Sequence, residues 1–324
     1  AHADARELAE MGRVVAEPGG VLSAHIRAYG KGAPEALGEL IGVAGETGAA
    51  LHVSHLAFTP RAYATAEAAA AQGVDVTWDA YPYCAGCTML AYALPPVLLH
   101  TSVDQLLDDL RRPQVREMVR PALEARFPPG CGAYFAALSQ PHNLWMEGMT
   151  LHEAAQRSGV ALTDLLCDLL VDEGLAPLLI LPWEGPPAGS EARLRRTLTH
   201  PRQMVASDGI YQGRRAHPRA WGTYPRLLGR YVRELGWLTL EDAVRRMTGF
   251  PAARFGLRDR GLLRPALAAD LVVFDPDTVA DRATFEAPRQ EPQGIEHVLV
   301  NGMSVVKEGR LTGARPGRLL RPKR

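Results

Sequence analysis

The stretch Ala50-Leu51-His52-Val53-Ser54-His55-Leu56 decides the fold class, because it is a short, mostly apolar segment set between two segments of helical pattern. A run of this length and composition is typical of a buried strand. The same alternation extends over the first 81 residues. The predicted order is helix 3–17, strand 21–26, helix 33–48, strand 50–56, helix 62–72 and strand 74–81. Strands alternating with helices at this spacing predict parallel βα units, and polar residues at strand ends are typical of the active site of a (β/α)₈ barrel.

The alternation stops near residue 95, where a segment rich in proline and charged residues begins. It resumes with a strand over 204–208, followed by helices over 224–235 and 240–248. We therefore predict units of a (β/α)₈ barrel that are interrupted by an inserted helical segment and followed by a β-rich C-terminal segment. The predicted parts are barrel βα units in 1–94, the insertion in 95–185, the remaining barrel in 186–260 and the β-rich segment in 261–324.

Short sequence motifs predict where several strands and helices begin or end. Strands are predicted over 269–275, 295–301 and 303–307, and the dipeptide Asn301-Gly302 predicts a tight hairpin between the last two. Thr150 followed by Glu153 is the pattern of a capping box that opens a helix.

Composition argues against charged macromolecular partners. The 324 residues contain 36 Lys and Arg and 36 Asp and Glu, so no net field attracts nucleic acid or an anionic membrane. No apolar run approaches the ~20 residues of a membrane span. Four cysteines do not form a disulfide scaffold and indicate a cytoplasmic protein. The first residues lack a signal-peptide pattern and an initiating methionine, so we expect the chain to begin inside a larger protein.

His25, His55 and Asp208 are the candidate metal and catalytic residues. Each follows an apolar strand-like run, and neighbouring parallel strands direct their ends toward one point. Neutral imidazoles are good zinc ligands, and a carboxylate at a strand end can move a proton or bind metal. The alternative, that the histidines simply end two strands, is weaker when both occur together with Asp208.

Arg219 and Tyr81 are the candidate substrate-binding residues. Arg219 follows Asp208 by eleven residues and can bind a substrate carboxylate through two hydrogen bonds. Tyr81 ends a predicted strand, where its hydroxyl can bind a carboxylate or its ring can simply pack at the barrel mouth. Cys84 and Cys87 form a lone CxxC without a second thiol pair of matching spacing, which disfavours a structural zinc site.

Several longer motifs contain these residues. They are Ala24-His25-Ile26-Arg27, Val53-Ser54-His55-Leu56, the segment 79–90, Ser207-Asp208-Gly209, the segments 217–226 and 247–257, and Ala269-Asp270-Leu271-Val272-Val273-Phe274-Asp275. Together they resemble the D-aminoacylase (N-acyl-D-amino-acid deacylase) family of the amidohydrolase superfamily.

The resemblance implies that the chain contains the C-terminal half of a TIM barrel with an inserted helical subdomain, and that 261–324 is a small C-terminal β-sandwich domain. It implies hydrolysis of the amide bond of N-acyl-D-amino acids with Zn²⁺. It implies that the partner is a small-molecule substrate. His25 and His55 fall on its single-histidine zinc positions, Asp208 on its catalytic aspartate, and Arg219 and Tyr81 on positions that bind the α-carboxylate.

Three departures from the family pattern bear on activity. The family's His-x-His pair and metal-ligating cysteine belong upstream of Ala1, so we expect this chain by itself to be inactive. Ala57 replaces a frequent lysine, and Cys87 replaces a frequent serine in the substrate-binding tyrosine motif. Two alternatives stay open at this point: a non-catalytic protein of the same fold, and a hydrolase of cyclic amides such as hydantoins or dihydropyrimidines.

Overall fold

The computed structural model describes residues 3–57, 59–100, 102–183 and 187–321. The helices are α1 (Ala5–Ala16), α2 (Ala33–Thr47), α3 (Pro60–Ala71), α4 (Val103–Leu110), α5 (Pro113–Arg126), α6 (Leu151–Ser158), α7 (Leu162–Asp172), α8 (Pro187–Thr199), α9 (Arg219–Arg226), α10 (Leu240–Met247) and α11 (Gly249–Arg254). The strands are β1 (Val21–Ala24), β2 (Ala50–Val53), β3 (Val76–Ala80), β4 (Ala85–Met89), β5 (Tyr134–Ala137), β6 (Leu178–Pro182), β7 (Gln203–Val205), β8 (Leu271–Phe274), β9 (Ile295–Val300), β10 (Met303–Lys307) and β11 (Arg310–Leu311).

A parallel sheet of order β1-β2-β3-β7 positions the candidate site. Its strands alternate with α1, α2 and α3, as the sequence pattern predicts, so the α/β class is confirmed. Leu51, Val53, Val76 and Trp78 are fully buried, as expected for a parallel sheet covered on its faces. Within the described residues this sheet has four strands, and the barrel stays a prediction.

Helices α4 to α7 lie within the predicted insertion, 95–185. An antiparallel sheet of order β4-β6-β5, which the sequence pattern did not predict, joins β5 and β6 of that segment to β4, which lies before residue 95. β6 is a short continuous apolar run, a pattern that does not separate a strand from a buried helix. β4 contains only one β-branched residue, Thr88, and gives little strand signal. The insertion has its own core, which includes Leu110, Leu123 and Phe135.

The C-terminal segment forms an antiparallel sheet of order β11-β10-β9-β8. The predicted hairpin between β9 and β10 is present. Asn301 and Gly302 both have positive φ, 49° and 79°, which the two-residue turn requires. The predicted capping box of Thr150 and Glu153 also forms at the start of α6.

The predicted helix over 224–235 begins earlier and changes type. α9 starts at Arg219, and the chain continues from it as a π-helix over Leu227–Glu234. A Cβ at Gly229 would lie 2.6 Å from the carbonyl oxygen of Val279, so only glycine allows this helix to pack against the segment before β9. Among the described helices, none combines the length and apolar character needed to cross a bilayer.

Candidate active site

The candidate metal and catalytic residues lie just after the C-terminal ends of three strands of the parallel sheet. His25 follows β1, His55 follows β2 by two residues, and Asp208 follows β7 by three. His55 and Asp208 have left-handed backbone conformations, with φ of 39° and 45°. Such conformations cost about 1–3 kcal/mol in residues other than glycine and concentrate at functional sites.

The two imidazoles meet across the ends of β1 and β2. Nδ1 of His25 lies 3.0 Å from Nε2 of His55, and the ring centroids are 4.7 Å apart. Burial lowers the pKa of His25, and the nearby His55 lowers it further. The Asp208 charge acts in the opposite direction on the same group, so all three residues belong to one electrostatic neighbourhood.

Tyr29 joins this pair and was not singled out by the sequence analysis. Its hydroxyl lies 2.9 Å from Nδ1 of His55 and 3.2 Å from Nδ1 of His25. Burial of the hydroxyl raises the pKa of Tyr29, and nearby Tyr81, Asp208 and Asp79 add to the shift. The phenol is therefore neutral over the physiological range.

Asp79, on β3, fixes the backbone of His55. Its Oδ1 accepts a 2.8 Å hydrogen bond from the amide of His55, and its Oδ2 accepts one of 2.8 Å from Nε2 of His52. Nδ1 of His52 bonds Oγ1 of Thr77 at 2.9 Å. His52 is buried, and both of its ring nitrogens bond to β3 residues rather than to the other two imidazoles.

Arg219 lies against Asp208 and Tyr81. Its Nη2 is 2.7 Å from Oδ2 of Asp208, and its guanidinium stacks 4.3 Å from the centre of the Tyr81 ring. The Arg219 side chain is only 1% exposed, and none of its three guanidinium nitrogens has a partner in hydrogen-bonding geometry among the described residues, so the contact with Asp208 is an ion pair without an aligned hydrogen bond. Burial raises the pKa of Tyr81, and the Arg219 charge opposes that rise. A buried cation with free donors is a suitable site for an anionic group.

His217 orients Arg219, a role the sequence analysis did not assign. Nδ1 of His217 accepts the amide hydrogen of Arg219 at 3.1 Å, and its Nε2 donates to the carbonyl of Ala85 at 3.0 Å. Burial, with a smaller contribution from the Arg219 charge, lowers the pKa of His217 to about 3. The sequence shows that His217 and Arg219 are two residues apart. It does not show the hydrogen bond from His217 to Ala85 of β4, because these two residues are far apart in the chain.

The loop between Asp208 and Arg219 is anchored to the insertion. Arg214 donates from Nε to the almost fully buried carboxylate of Glu147 at 3.0 Å. A Cβ at Gly213, where φ is 81°, would collide with the carbonyl oxygen of Ala136 in β5. The insertion therefore contributes to the position of both site residues.

Cys87 lies on β4, paired with Ile180 of β6 and within the electrostatic reach of Arg219 and Asp208. Burial raises the pKa of its thiol to about 11, so the thiol is neutral. All four cysteines, including Cys84, are free. Neither thiol has the low pKa of a redox or metal-binding cysteine.

The donor set fits part of a zinc site. Two nitrogens bound to one tetrahedral zinc at 2.0–2.1 Å would lie roughly 3.3 Å apart, close to the 3.0 Å between His25 and His55. In the described part of the chain no cluster of three or more His, Cys, Asp or Glu side chains is arranged to hold a metal ion. The described residues therefore provide two of the ligands of a zinc site, the imidazoles of His25 and His55.

Comparison with known proteins identifies the family. The amidohydrolase family model matches residues 5–306, which is most of the chain. The chain belongs to the amidohydrolase family. The family resemblance given by the sequence motifs is thereby confirmed.

Named relatives of this family are deacylases. The chain is 37% identical to N-acyl-D-glutamate deacylase and 35% identical to D-aminoacylase, both from Alcaligenes xylosoxydans xylosoxydans, over 98% and 99% of its length. A structure of N-acyl-D-glutamate deacylase from Bordetella bronchiseptica, complexed with zinc and a phosphonate that mimics the tetrahedral intermediate, is 35% identical over 95% of the chain, with a TM-score of 0.74. The chain spans 58% of the length of each of these three proteins.

Proposed function

We propose that this chain carries the residues for zinc-dependent hydrolysis of the amide bond of N-acyl-D-amino acids, which gives a D-amino acid and a carboxylate. One observation carries the proposal: the buried guanidinium of Arg219, with unpaired donors, lies beside the strand-end carboxylate of Asp208. A linear N-acyl amino acid has a free α-carboxylate for Arg219. A hydantoin or dihydropyrimidine has none, which disfavours the cyclic-amide alternative.

His25 and His55 would hold the zinc through Nδ1 and Nε2, the two nitrogens that face each other. Bound zinc supplies Lewis-acid polarisation of the amide carbonyl and lowers the pKa of water. The remaining steps depend on side chains of this chain.

Asp208 is the proposed proton carrier. Its side chain is 37% exposed, so substrate and water can reach the carboxylate. It would accept a proton from the attacking water and donate it to the leaving nitrogen of the amide, as general base and then general acid.

Arg219, Tyr81 and Cys87 are the proposed substrate-binding residues. Nε and Nη1 of Arg219 would bind the α-carboxylate, while Nη2 would remain ion-paired with Oδ2 of Asp208. The Tyr81 ring supports the guanidinium from one face. The neutral thiol of Cys87 offers an uncharged surface beside them. Binding at these groups would hold the amide in a fixed orientation relative to Asp208.

We also propose that the segments 1–94, 95–185, 186–260 and 261–324 act as barrel, insertion, barrel and β-sandwich parts, and that the protein works in the cytoplasm. The four free cysteines support the location, since a reducing compartment keeps thiols unpaired. Limited proteolysis and cell fractionation test these two proposals.

A substrate panel tests the function. We expect zinc-dependent release of D-amino acids from N-acetyl derivatives, with N-acetyl-L-amino acids and hydantoins as the comparison substrates. The experiment needs an active form of the protein, either this chain or a longer one that includes it. Hydrolysis of hydantoins but not of N-acyl-D-amino acids would reject the proposal. Asp208→Asn serves as the inactive control.

A further inference from the structure

Tyr29 occupies a position that the proposed mechanism does not use. It lies in the loop after β1, and its hydroxyl reaches across to the residue after β2, so it contacts imidazoles from two neighbouring strands. Tyr29 is 46% exposed overall, and these two contacts account for its hydroxyl. No requirement of the hydrophobic core places a tyrosine there.

The two ring nitrogens of His55 have different partners. Nε2 faces Nδ1 of His25 at 3.0 Å, and Nδ1 faces the Tyr29 oxygen at 2.9 Å. A neutral imidazole carries its proton on one nitrogen and a lone pair on the other, and the partner of one nitrogen decides the state of the other. Two lone pairs facing each other at this distance repel unless a cation lies between them.

We propose that Tyr29 is a positioning residue for the metal-binding imidazoles. Its oxygen accepts the hydrogen on Nδ1 of His55, which leaves Nε2 unprotonated and directed at the same point as Nδ1 of His25. In the zinc-bound form the hydroxyl hydrogen turns away from Nδ1 of His25, so that this lone pair is free for the metal. Histidines that bind metals commonly donate their other ring N–H to an oxygen acceptor of this kind, and loss of that acceptor typically weakens metal binding ~10–100-fold. The inference rests on the proposed zinc site.

The backbone and the ring of His55 are then held separately. Asp79 accepts the hydrogen of the His55 amide and so stabilises the left-handed backbone, while Tyr29 fixes the rotation and the tautomer of the ring. Loss of the Asp79 carboxylate should therefore destabilise the backbone around His55 and lower the free energy of unfolding. Loss of the Tyr29 hydroxyl should leave the fold intact and change metal binding alone.

The test is calorimetric titration of zinc into the 324-residue chain and its variants. Tyr29→Phe removes one hydroxyl from a half-exposed ring and should retain the wild-type circular dichroism spectrum. We expect it to weaken zinc binding ~10-fold or more. Tyr63→Phe is the matched control, because the Tyr63 hydroxyl bonds the carbonyl of Leu56, next to His55, and not the imidazoles. It should retain wild-type zinc affinity.

A second readout does not depend on affinity. In ¹⁵N-labelled, zinc-loaded chain, the Nδ1–H resonance of His55 should be protected from solvent exchange in the wild type and lose that protection in Tyr29→Phe. Equal zinc affinity and equal protection in the two proteins would overturn the inference while the zinc site stands. Failure of the wild-type chain to bind zinc at all would reject the zinc site, and the inference with it. These two failures are distinguishable.

Discussion

Arg219 and Asp208 form an ion pair at 2.7 Å in which the cation is almost completely buried and the carboxylate is 37% exposed. The asymmetry matters because a buried guanidinium with unpaired donors gains more from a new anionic partner than an exposed one does. A substrate carboxylate that takes up Nε and Nη1 would share the guanidinium with Asp208 and set the distance between the scissile amide and that carboxylate. Binding and proton transfer would then depend on one arginine.

Replacing Asp208 tests proton transfer. In an active form of the protein we expect Asp208→Asn to lower kcat by ~100-fold or more, because the amide is nearly isosteric but cannot accept a proton. KM should change little by comparison. Steady-state kinetics with an N-acyl-D-amino acid measures both constants, and wild-type kcat in this variant would remove Asp208 from the proposed mechanism.

Replacing Arg219 tests carboxylate binding. Arg219→Lys keeps the charge but loses the planar arrangement of donors, so KM should rise by roughly 10–100-fold, equivalent to about 1.5–3 kcal/mol of lost charge-assisted hydrogen bonding. Arg157→Lys, at an exposed position in the insertion, is the control and should retain the wild-type KM. An unchanged KM in Arg219→Lys would mean that another group binds the α-carboxylate.

Zinc affinity of the 324-residue chain tests the ligand set. Two imidazoles form an incomplete shell compared with the three protein ligands of a typical catalytic zinc, so we expect weak binding and no turnover by this chain alone. His55→Gln should abolish the binding, whereas His142→Gln, at a side chain 66% exposed, should not change it. Tight stoichiometric binding with turnover would show that the described residues suffice.

Asp79 should contribute to stability. Asp79→Ala leaves the His55 amide and Nε2 of His52 without their acceptor, and unsatisfied groups of this kind cost about 1–3 kcal/mol each. We expect the free energy of unfolding, measured by urea denaturation, to fall by a few kcal/mol. Asp277→Ala, at an exposed position, is the control. A stability equal to that of the control would contradict the role assigned to Asp79.

His217 should make stability depend on pH. Its folded pKa, about 3, lies below its usual 6.5, so between these values the unfolded chain binds a proton that the folded chain does not. The contribution of His217 is therefore complete above pH 6.5 and is lost as the pH falls toward 3, by up to ~1.4 kcal/mol per pH unit.

His217→Gln cannot titrate at this position. The difference in unfolding free energy between wild type and this variant should therefore shrink from pH 7 to pH 4. Urea denaturation at several pH values measures this difference. A difference that stays constant over that interval would mean that folding does not lower the pKa of His217.

The sequence by itself determined the parallel βα order, the hairpin at Asn301 and the positions of His25, His55 and Asp208 at strand ends. These features follow from hydrophobic periodicity and turn chemistry, which act over a few residues. The sheet of the insertion escaped prediction because β4 pairs with β6 about ninety residues later.

Only the tertiary structure decided which groups meet. Asp79 bonds His52 and His55, Tyr29 bonds both imidazoles, and His217 links Arg219 to β4. The spacing of residues along the sequence predicts none of these contacts. The register of neighbouring strands and the packing of the insertion fix these distances, and a hydrogen bond forms only when both are correct to within a fraction of an ångström.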